Sequence, residues 1–157
     1  MGATKEEISR TLEDLKAKGV ENILALRGDR NPEINLPSDF AHASDLASFI
    51  RSYDSSFSLS GACYPEVHAE SDSMEEDIAN LKIKVDSGVD HLVTQLFFDN
   101  NLYYSLLEKL DILDVNLPVS AGIMPVINKK QIERITGLCG ASIPAKFRRI
   151  LDKYGDN

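Results

Sequence analysis

Apolar positions recur along the chain in two different periods, and the two periods alternate. Four short apolar runs, each typical of a buried strand, begin near Ile23, Phe57, Leu92 and Val119. The segments between these runs place apolar residues three and four positions apart, which predicts amphipathic helices. The strand starts lie roughly 30 residues apart, the length of one βαβ unit. The pattern therefore predicts an α/β fold with about four parallel βα units.

Capping residues and glycines set the boundaries of the predicted helices. A helix over residues 5–18 ends at Gly19, and a capping box of Ser73 and Glu76 begins a later helix that ends at Gly88. The other helix signals are Ser44 and Asn128 as N-caps and Gly140 as a C-terminal stop. The strands are predicted over residues 23–26, 57–64, 91–98 and 119–124.

The first strand leads directly into charged residues. Residues 23–26 are all apolar, the pattern of a parallel strand that is buried on both faces. Arg27, Gly28 and Asp29 then place a cation, a flexible joint and a carboxylate at its carboxyl end, where parallel α/β folds carry their chemistry. The loop that follows contains Pro32 and Pro37. Its length of about a dozen residues favours a lid or a binding loop.

Two architectures fit four parallel βα units. One is an open, doubly wound parallel sheet, and the other is a partial (β/α)₈ TIM barrel. A complete barrel typically needs about 250 residues, so this chain would form about half of one. Neither a G-x-G-x-x-G nor a G-x-x-x-x-G-K-[ST] loop occurs to support a nucleotide-binding doubly wound fold. We expect a single domain over residues 1–157, as a fragment of a barrel.

Composition narrows the classes of partner. The 157 residues are 43% hydrophobic and carry 17 basic against 25 acidic side chains, a formal charge of −8, which disfavours nucleic acid and anionic membranes. Cys63 and Cys139 lack the spacing of a metal or redox motif, so we expect two reduced thiols in a cytoplasmic protein. We also expect neither a signal peptide nor a membrane-spanning segment.

Several groups of residues match one known family in order, spacing and identity. They are Leu26-Arg27-Gly28-Asp29; Tyr64-Pro65-Glu66-Val67-His68; the helix with Asp77, Asn80 and Lys84; Thr94-Gln95 followed by Phe97-Phe98-Asp99; Gly122-Ile123-Met124-Pro125-Val126; and the closing Ile143-Pro144. Together they resemble methylenetetrahydrofolate reductase. The resemblance implies a (β/α)₈ barrel that holds FAD, takes hydride from NADH or NADPH and reduces 5,10-methylenetetrahydrofolate to 5-methyltetrahydrofolate. This is an oxidoreductase of one-carbon metabolism and methionine biosynthesis.

The resemblance also implies that parts of the family's barrel have no counterpart in this sequence. A glutamate on the family's first strand serves as general acid, and residues on its second and third strands help to hold the flavin. The match begins after the third strand and stops before the eighth. We therefore expect this chain to correspond to the central half of the barrel.

The resemblance gives Asp29 the central chemical role. A carboxylate there would stabilise the cationic iminium form of the folate and disfavour an anionic reduced flavin, which makes the flavin a better hydride donor. Without the family match, Asp29 would be read as a solvated turn residue or a helix cap. Arg27 and Gly28 resemble flavin contacts, because Arg can bind phosphate or carbonyl oxygens and Gly permits close backbone approach. An ordinary ion pair is the alternative for Arg27.

Further flavin contacts are implied at the next strand end and on the next helix. Tyr64 and His68 resemble residues that line the flavin, whereas a lone His is otherwise a surface or core residue. Asp77, Asn80 and Lys84 lie three and four positions apart and share a helical face, from which Lys84 could oppose the FAD pyrophosphate. Without the resemblance, the same pattern would be an ordinary solvated face.

The remaining implied contacts are amides and the start of the second helix. Gln95, and less strongly Gln131, would contact folate or nicotinamide; the alternatives are a buried hydrogen-bonded amide and an exposed helix residue. Ala43 is implied as a flavin contact, but His42 stands where the family usually has an aromatic residue, which affects packing against the adenine.

A metal site is disfavoured at the strand ends. Asp29, Glu66, His68 and Asp99 could be proposed as ligands, but they belong to three separate strand ends and a flavin would occupy that space.

Two functions from different classes follow. The chain is either part of a flavin-dependent reductase, or a catalytically silent half-barrel that associates with a second copy or with its missing half. The second follows because a barrel cut in two exposes two apolar edge strands, which favour pairing with another chain.

Overall fold

A computed structural model describes residues 2–28 and 38–154 of the chain. Within them it contains helices α1 to α6 and strands β1 to β4. In chain order these are α1 (Lys5–Ala17), β1 (Asn22–Ala25), α2 (Ala43–Tyr53), β2 (Ser58–Cys63), α3 (Met74–Asp86), β3 (His91–Thr94), α4 (Asn100–Ile112), β4 (Val119–Ser120), α5 (Lys129–Cys139) and α6 (Ala145–Tyr154). The predicted alternation of helix and strand is confirmed.

The four strands form one parallel sheet with the order β1-β2-β3-β4. In the first pair, Asn22 lies opposite Ser58 and Ala25 opposite Gly61. Doubly wound sheets reverse their strand order at a switch point, whereas strands of a (β/α)₈ barrel follow one another around the ring. The uninterrupted order therefore favours a partial barrel over an open doubly wound sheet.

The chain divides into two compact units, Met1–Ala62 with Leu81–Leu92, and Cys63–Asn80 with Val93–Asn157. In the described part of the first unit, buried apolar side chains come from all of its helices and strands. They are Leu12, Ala25, Phe40, Ala47, Ile50, Phe57, Leu59, Leu81, Val89 and Leu92. The prediction of a single domain stays a prediction.

Strand β1 is less buried than the sequence predicts. Ala25 is 2% exposed, but Leu24 and Leu26 are 46% and 45% exposed. The register places Leu24 opposite Ser60, and Ser60 is itself only half-buried. Among the described residues β1 has one neighbouring strand. The expected burial on both faces is therefore wrong for this strand, because only the face that carries Ala25 is covered.

The amino ends of β2 and β3 are tied together in the first unit by Arg51. Its guanidinium donates to the carbonyls of Gly88 (Nε 3.2 Å, Nη2 2.6 Å), Ser55 (Nη1 3.1 Å) and Phe57 (Nη1 2.9 Å). Nη2 also bonds the Asp90 carboxylate at 2.5 Å. One side chain of α2 thus satisfies carbonyls on two connections that lead into strands.

Asp90 completes this arrangement, which we call the Arg51 network: Arg51, Ser55, Phe57, Leu59, Gly88 and Asp90. The Leu59 N–H donates to the Asp90 carboxylate at 2.9 Å, and the Asp90 N–H donates to the Leu59 carbonyl at 2.8 Å. Burial raises the pKa of Asp90, but the Leu59 N–H and the Arg51 guanidinium outweigh it, so the pKa lies below its ordinary value. The carboxylate therefore remains charged in the folded chain at neutral pH.

Strands β3 and β4 are shorter than predicted, and the second unit shows why. The Gln95 N–H still donates to the Cys63 carbonyl at 2.8 Å, but the next N–H, of Leu96, bonds the Gln95 side-chain oxygen at 2.9 Å. The Gly122 N–H likewise bonds the Thr94 hydroxyl at 2.9 Å. Side chains have replaced backbone partners, so both ladders end early.

Helix starts follow the capping predictions in part. Asn128 accepts from the Gln131 N–H at 2.9 Å, as predicted, and Gly140 ends α5 with φ 74°. Ser44 is not the cap of α2, because the helix already begins at Ala43. The Asp45 carboxylate instead accepts hydrogen bonds from the N–H groups of Ala41 (3.0 Å) and His42 (2.8 Å). The side chain that caps the start of α2 therefore belongs to the first turn of the helix itself.

The capping box predicted before α3 forms in a shifted version. Ser73 accepts from the Glu76 N–H at 3.2 Å, while the Glu76 carboxylate accepts from the Asp72 N–H at 2.7 Å instead of from Ser73.

No helix of the described residues is both long and apolar enough to cross a membrane.

Candidate functional site

The second unit brings together predicted site residues from two strand ends. Tyr64 follows β2, Gln95 follows β3, and both line one small pocket. The other lining residues are Pro65, Glu66, Val67, Leu96, Cys139 and Ala141. The pocket has room for about 10 Å³, enough for one water molecule. It is therefore a junction between strand ends and does not by itself enclose a cofactor.

His68 packs against Tyr64 at this junction. The two ring centroids are 4.5 Å apart with an interplanar angle of 83°, an edge-to-face contact. His68 Nδ1 accepts from the Glu70 N–H at 3.0 Å. The neutral ring therefore carries its proton on Nε2, which makes that nitrogen a hydrogen-bond donor.

Gln95 and Glu66 have structural contacts of their own. The Gln95 amide oxygen accepts the Leu96 N–H, as described above, which fixes the side chain against its own strand end. Glu66 Oε1 accepts the Ser142 N–H at 2.8 Å, which ties the segment after β2 to the loop after α5. These two bonds hold the pocket walls in place.

Helix α3 carries three of the predicted flavin contacts, and they differ in burial. Asp77 is 8% exposed and accepts from the Ser71 hydroxyl at 3.2 Å. Asn80 is exposed, and Lys84 is half-buried. The shared face expected from their spacing is therefore not a uniformly solvated one.

Lys84 lies over strand β2 in the first unit. Its Nζ donates to the Ala62 carbonyl at 2.6 Å, one residue before the carboxyl end of the strand. A Cβ built on Gly61 would lie 3.1 Å from Lys84 Cδ and 3.3 Å from each Val89 methyl group. The lysine stem thus occupies space that a side chain at position 61 would fill.

The remaining predicted residues of the first unit lie before, within or after residues 29–37, which the structure does not describe. Arg27 Nε donates to the Gly28 carbonyl at 3.1 Å, and Gly28 has φ 79°, which favours glycine. Ala43 is the first residue of α2, directly after the exposed His42. Asp29, the predicted catalytic carboxylate, lies outside the described residues, as do Pro32 and Pro37.

Gln131 has a role that the sequence analysis did not assign. Its amide oxygen accepts the Ile127 N–H at 3.1 Å while its own N–H bonds Asn128. This is the reciprocal pattern of a capping box at the start of α5, shifted by one residue. The contact of Gln131 with substrate stays a prediction.

Two observations bear on the metal and thiol predictions. Within residues 2–28 and 38–154, no group of three His, Cys, Asp or Glu side chains is placed to hold a metal ion. Cys63 and Cys139 are not joined in a disulfide; Cys63 is buried, and Cys139 is half-buried in the pocket wall.

Each of the two units, taken by itself, supplies side chains of a kind that bind a flavin nucleotide. Lys84 supplies a half-buried ammonium group, which suits a diphosphate. Tyr64 and His68 supply aromatic surface, and Gln95 supplies an amide suited to the polar edge of a heterocycle. Sequence reasoning did not assign a role to Gly61, because its closeness to Lys84 depends on how α3 packs on β2; a glycine inside a strand pattern was the available signal.

Comparison with known proteins identifies the family. The family model described as methylenetetrahydrofolate reductase matches residues 1–157. The chain is 37% identical over 166 residues to methylenetetrahydrofolate reductase (NADH) 1 of Arabidopsis thaliana, an alignment that covers 97% of this chain and 28% of the relative. It is 34% identical over 155 residues to 5,10-methylenetetrahydrofolate reductase of Escherichia coli strain K12, covering 99% of this chain and 51% of the relative.

A third relative, methylenetetrahydrofolate reductase 1 of Schizosaccharomyces pombe, is 36% identical over 156 residues, covering 97% of this chain and 26% of the relative. The chain thus spans about half of the bacterial relative and less of the eukaryotic ones. The match of the family model over the whole sequence agrees with the motifs at the strand ends and with the consecutive strand order. The chain belongs to the methylenetetrahydrofolate reductase family.

Proposed function

We propose that this chain carries part of the flavin- and folate-binding face of a reductase that converts 5,10-methylenetetrahydrofolate to 5-methyltetrahydrofolate with NADH or NADPH. The observation that carries the proposal is the junction in the second unit. Tyr64 and Gln95, which the family resemblance implies at two different strand ends, line one pocket, and His68 packs on Tyr64. The names of the bacterial and plant relatives, which specify 5,10-methylenetetrahydrofolate and NADH, support the substrates.

FAD, when bound, would accept a hydride from the nicotinamide and deliver it to the folate methylene group. The aromatic rings of Tyr64 and His68 would exclude water from one side of the flavin ring system, and His68 Nε2–H would donate a hydrogen bond. Gln95 would orient the folate or the nicotinamide through its amide. Arg27, Gly28, Ala43, Asp77, Asn80 and Lys84 would contribute flavin contacts, and Gln131 a substrate contact.

Asp29 would act on charge and not on a proton. A carboxylate close to the reacting carbon stabilises the iminium cation of the folate, and it opposes negative charge on the reduced flavin. The reduced state of Cys63 and Cys139 fits a reducing compartment, and we propose that the protein is cytoplasmic.

A visible absorption spectrum of the purified chain, mixed with FAD, tests the proposal. We expect the bands of bound oxidised flavin and their bleaching by NADH or NADPH. Tyr64→Leu should weaken FAD binding by about tenfold, since an aromatic contact is lost. Tyr104→Leu is the control, because Tyr104 lies on α4 and is 57% exposed. A chain that binds no FAD, or equal losses in both variants, would contradict the proposed site.

A second function has a specific observation in its favour. Leu24 and Leu26 at β1, and Ile123 and Ile127 after β4, are between 45% and 89% exposed. Exposed apolar residues beside edge strands favour pairing with another chain. The alternative is therefore a catalytically silent half-barrel that associates with a second copy. Sedimentation would then show a dimer, which Leu24→Lys dissociates, and the protein would stay colourless with FAD. A monomer would exclude association with a second copy and leave only association with the missing half of the barrel.

A further inference from the structure

The space over β2 beside Gly61 is filled by Lys84 and Val89. Within the first unit, a Cβ on Gly61 would come within 3.1 Å of Lys84 Cδ and 3.3 Å of both Val89 methyl groups. These distances are tighter than most Cβ contacts, so one neighbour would have to move. Gly61 is itself buried and has no positive φ that would require glycine. The reason for glycine at this position is therefore the space that it leaves.

Of the two neighbours, Lys84 is the one able to move. Val89 is 4% exposed, so its methyl groups are held by surrounding core atoms. Lys84 is half-buried and has four rotatable bonds. A methyl group at position 61 would consequently displace the lysine stem before it displaced the valine.

Displacement of the stem would move a positioned charge. Lys84 Nζ now lies 2.6 Å from the Ala62 carbonyl, which directs the ammonium group toward the carboxyl end of β2. Without that bond the ammonium group would sample many positions, because the lysine side chain has four rotatable bonds. Two features restrict the positions of the ammonium group: the bond to the Ala62 carbonyl, and the groove beside Gly61 in which the lysine stem lies.

We propose that Gly61 is a positioning residue for Lys84, leaving the groove in which the lysine stem lies and so fixing where its ammonium group meets an anionic ligand. That ligand is the diphosphate of the flavin nucleotide, an identification that rests on the proposed function. The role differs from direct contact, because Gly61 acts only through the side chain beside it.

The first test is a double-mutant cycle on unfolding, which needs no ligand. Urea unfolding midpoints are compared for the parent chain, Gly61→Ala, Lys84→Ala and the double variant. Lys84→Ala removes Cδ, the nearest of the three atoms, so the new methyl group then meets only the Val89 methyl groups at 3.3 Å. We expect Gly61→Ala to lower the midpoint in the parent, and to lower it by clearly less in the Lys84→Ala background, where only the contact with Val89 remains.

The second test uses FAD as the probe, followed by quenching of flavin fluorescence. Gly61→Ala and Lys84→Ala should each weaken binding by about fivefold, and the double variant should bind no more weakly than Lys84→Ala alone. Lys82→Met is the matched control, because Lys82 is also on α3 but pairs with Asp86 at the helix surface. It should bind FAD like the parent.

The two tests separate failure of the inference from failure of the proposed function. If Gly61→Ala lowers the midpoint equally with and without Lys84, the glycine serves the strand itself and the inference is overturned. If the parent binds FAD and Gly61→Ala binds it equally well, the positioning role is also overturned. If the parent binds no FAD but the unfolding cycle shows coupling, the groove is supported and the flavin function is what fails.

Discussion

The two ends of strand β2 are held in different ways. At the amino end, in the first unit, Arg51 and Asp90 bond backbone groups of Ser55, Phe57, Leu59 and Gly88. Beyond the carboxyl end, in the second unit, the named side chains are aromatic rings and an amide that line a pocket. In (β/α)₈ barrels the amino-terminal face serves stability and the carboxyl-terminal face carries the chemistry. In this chain, charged side chains bond the backbone at the amino end of β2, and side chains line a pocket beyond its carboxyl end. The two ends therefore follow that division.

Arg51→Met gives the largest expected effect, and it would sharpen the comparison. The change keeps the unbranched stem of the side chain but removes the guanidinium group, so the Gly88 and Phe57 carbonyls lose their side-chain donors. We expect a loss of roughly 3 kcal/mol in the free energy of unfolding, measured by urea titration. Binding of FAD by the folded fraction should stay close to that of the parent.

Arg10→Met is the control for this prediction. Arg10 pairs with Glu6 on the surface of α1, where the two side chains are 72% and 77% exposed, so its loss should cost less than about 0.5 kcal/mol. Similar losses in the two variants would mean that the Arg51 network adds nothing beyond an ordinary surface charge.

Gly122→Ala is expected to have the next largest effect. It tests the carboxyl ends of β3 and β4, where Gly122 lies against Thr94. A Cβ at Gly122 would lie 2.1 Å from the Thr94 carbonyl oxygen. Backbone cannot yield as a flexible side chain does, so we expect the variant to lose about 2 kcal/mol or more by urea unfolding.

Gly137→Ala is the matched control, because a Cβ there meets nothing within 4 Å in helix α5. It should raise stability by roughly 0.5–1 kcal/mol, the difference in helix propensity. If Gly122→Ala were as stable as the parent, the carboxyl ends would carry no structural constraint at this glycine, and the division between the two ends of the sheet would be sharper than we describe.

Sequence reasoning was strongest for features set by local physics. The period of apolar residues predicted the helices and strands, and Asn128 and Gly140 predicted the boundaries of α5, because capping depends on neighbours within a few residues. The strand ends in β3 and β4 were predicted too late. There backbone N–H groups bond the side chains of Gln95 and Thr94 instead of a neighbouring strand. The period of apolar residues carries no information about such bonds.

Features that depend on packing between distant segments were missed. The exposure of Leu24 depends on which face of β1 is covered. The bonds of Arg51 to Gly88 and Asp90 join residues almost 40 positions apart, and the groove at Gly61 depends on how α3 lies on β2. For the candidate site, the motifs named the residues, whereas the structure was needed to show that Tyr64 and Gln95 line one pocket. The role of Asp29 stays a prediction.

The smallest expected effect is a pH dependence at the amino end, measured with Asp90→Asn. The folded-state pKa of Asp90 lies below its ordinary value, so between the two values the unfolded chain binds more protons than the folded one. The carboxylate therefore contributes stability above its unfolded pKa of roughly 3.9, and that contribution is lost as the pH falls through the folded value. Asn keeps an oxygen for the Leu59 N–H but lacks the charge that attracts Arg51.

Urea unfolding of the parent and Asp90→Asn at pH 7, 5 and 3 measures this contribution directly. We expect the parent to be the more stable at pH 7 and pH 5, and the difference to shrink at pH 3. Because the Asp90 side chain is half exposed, solvent weakens the interaction, so the difference should stay below the loss in Arg51→Met. A difference that is unchanged from pH 7 to pH 3 would show that the hydrogen-bonding shape of Asp90, and not its charge, holds the amino ends of β2 and β3 together.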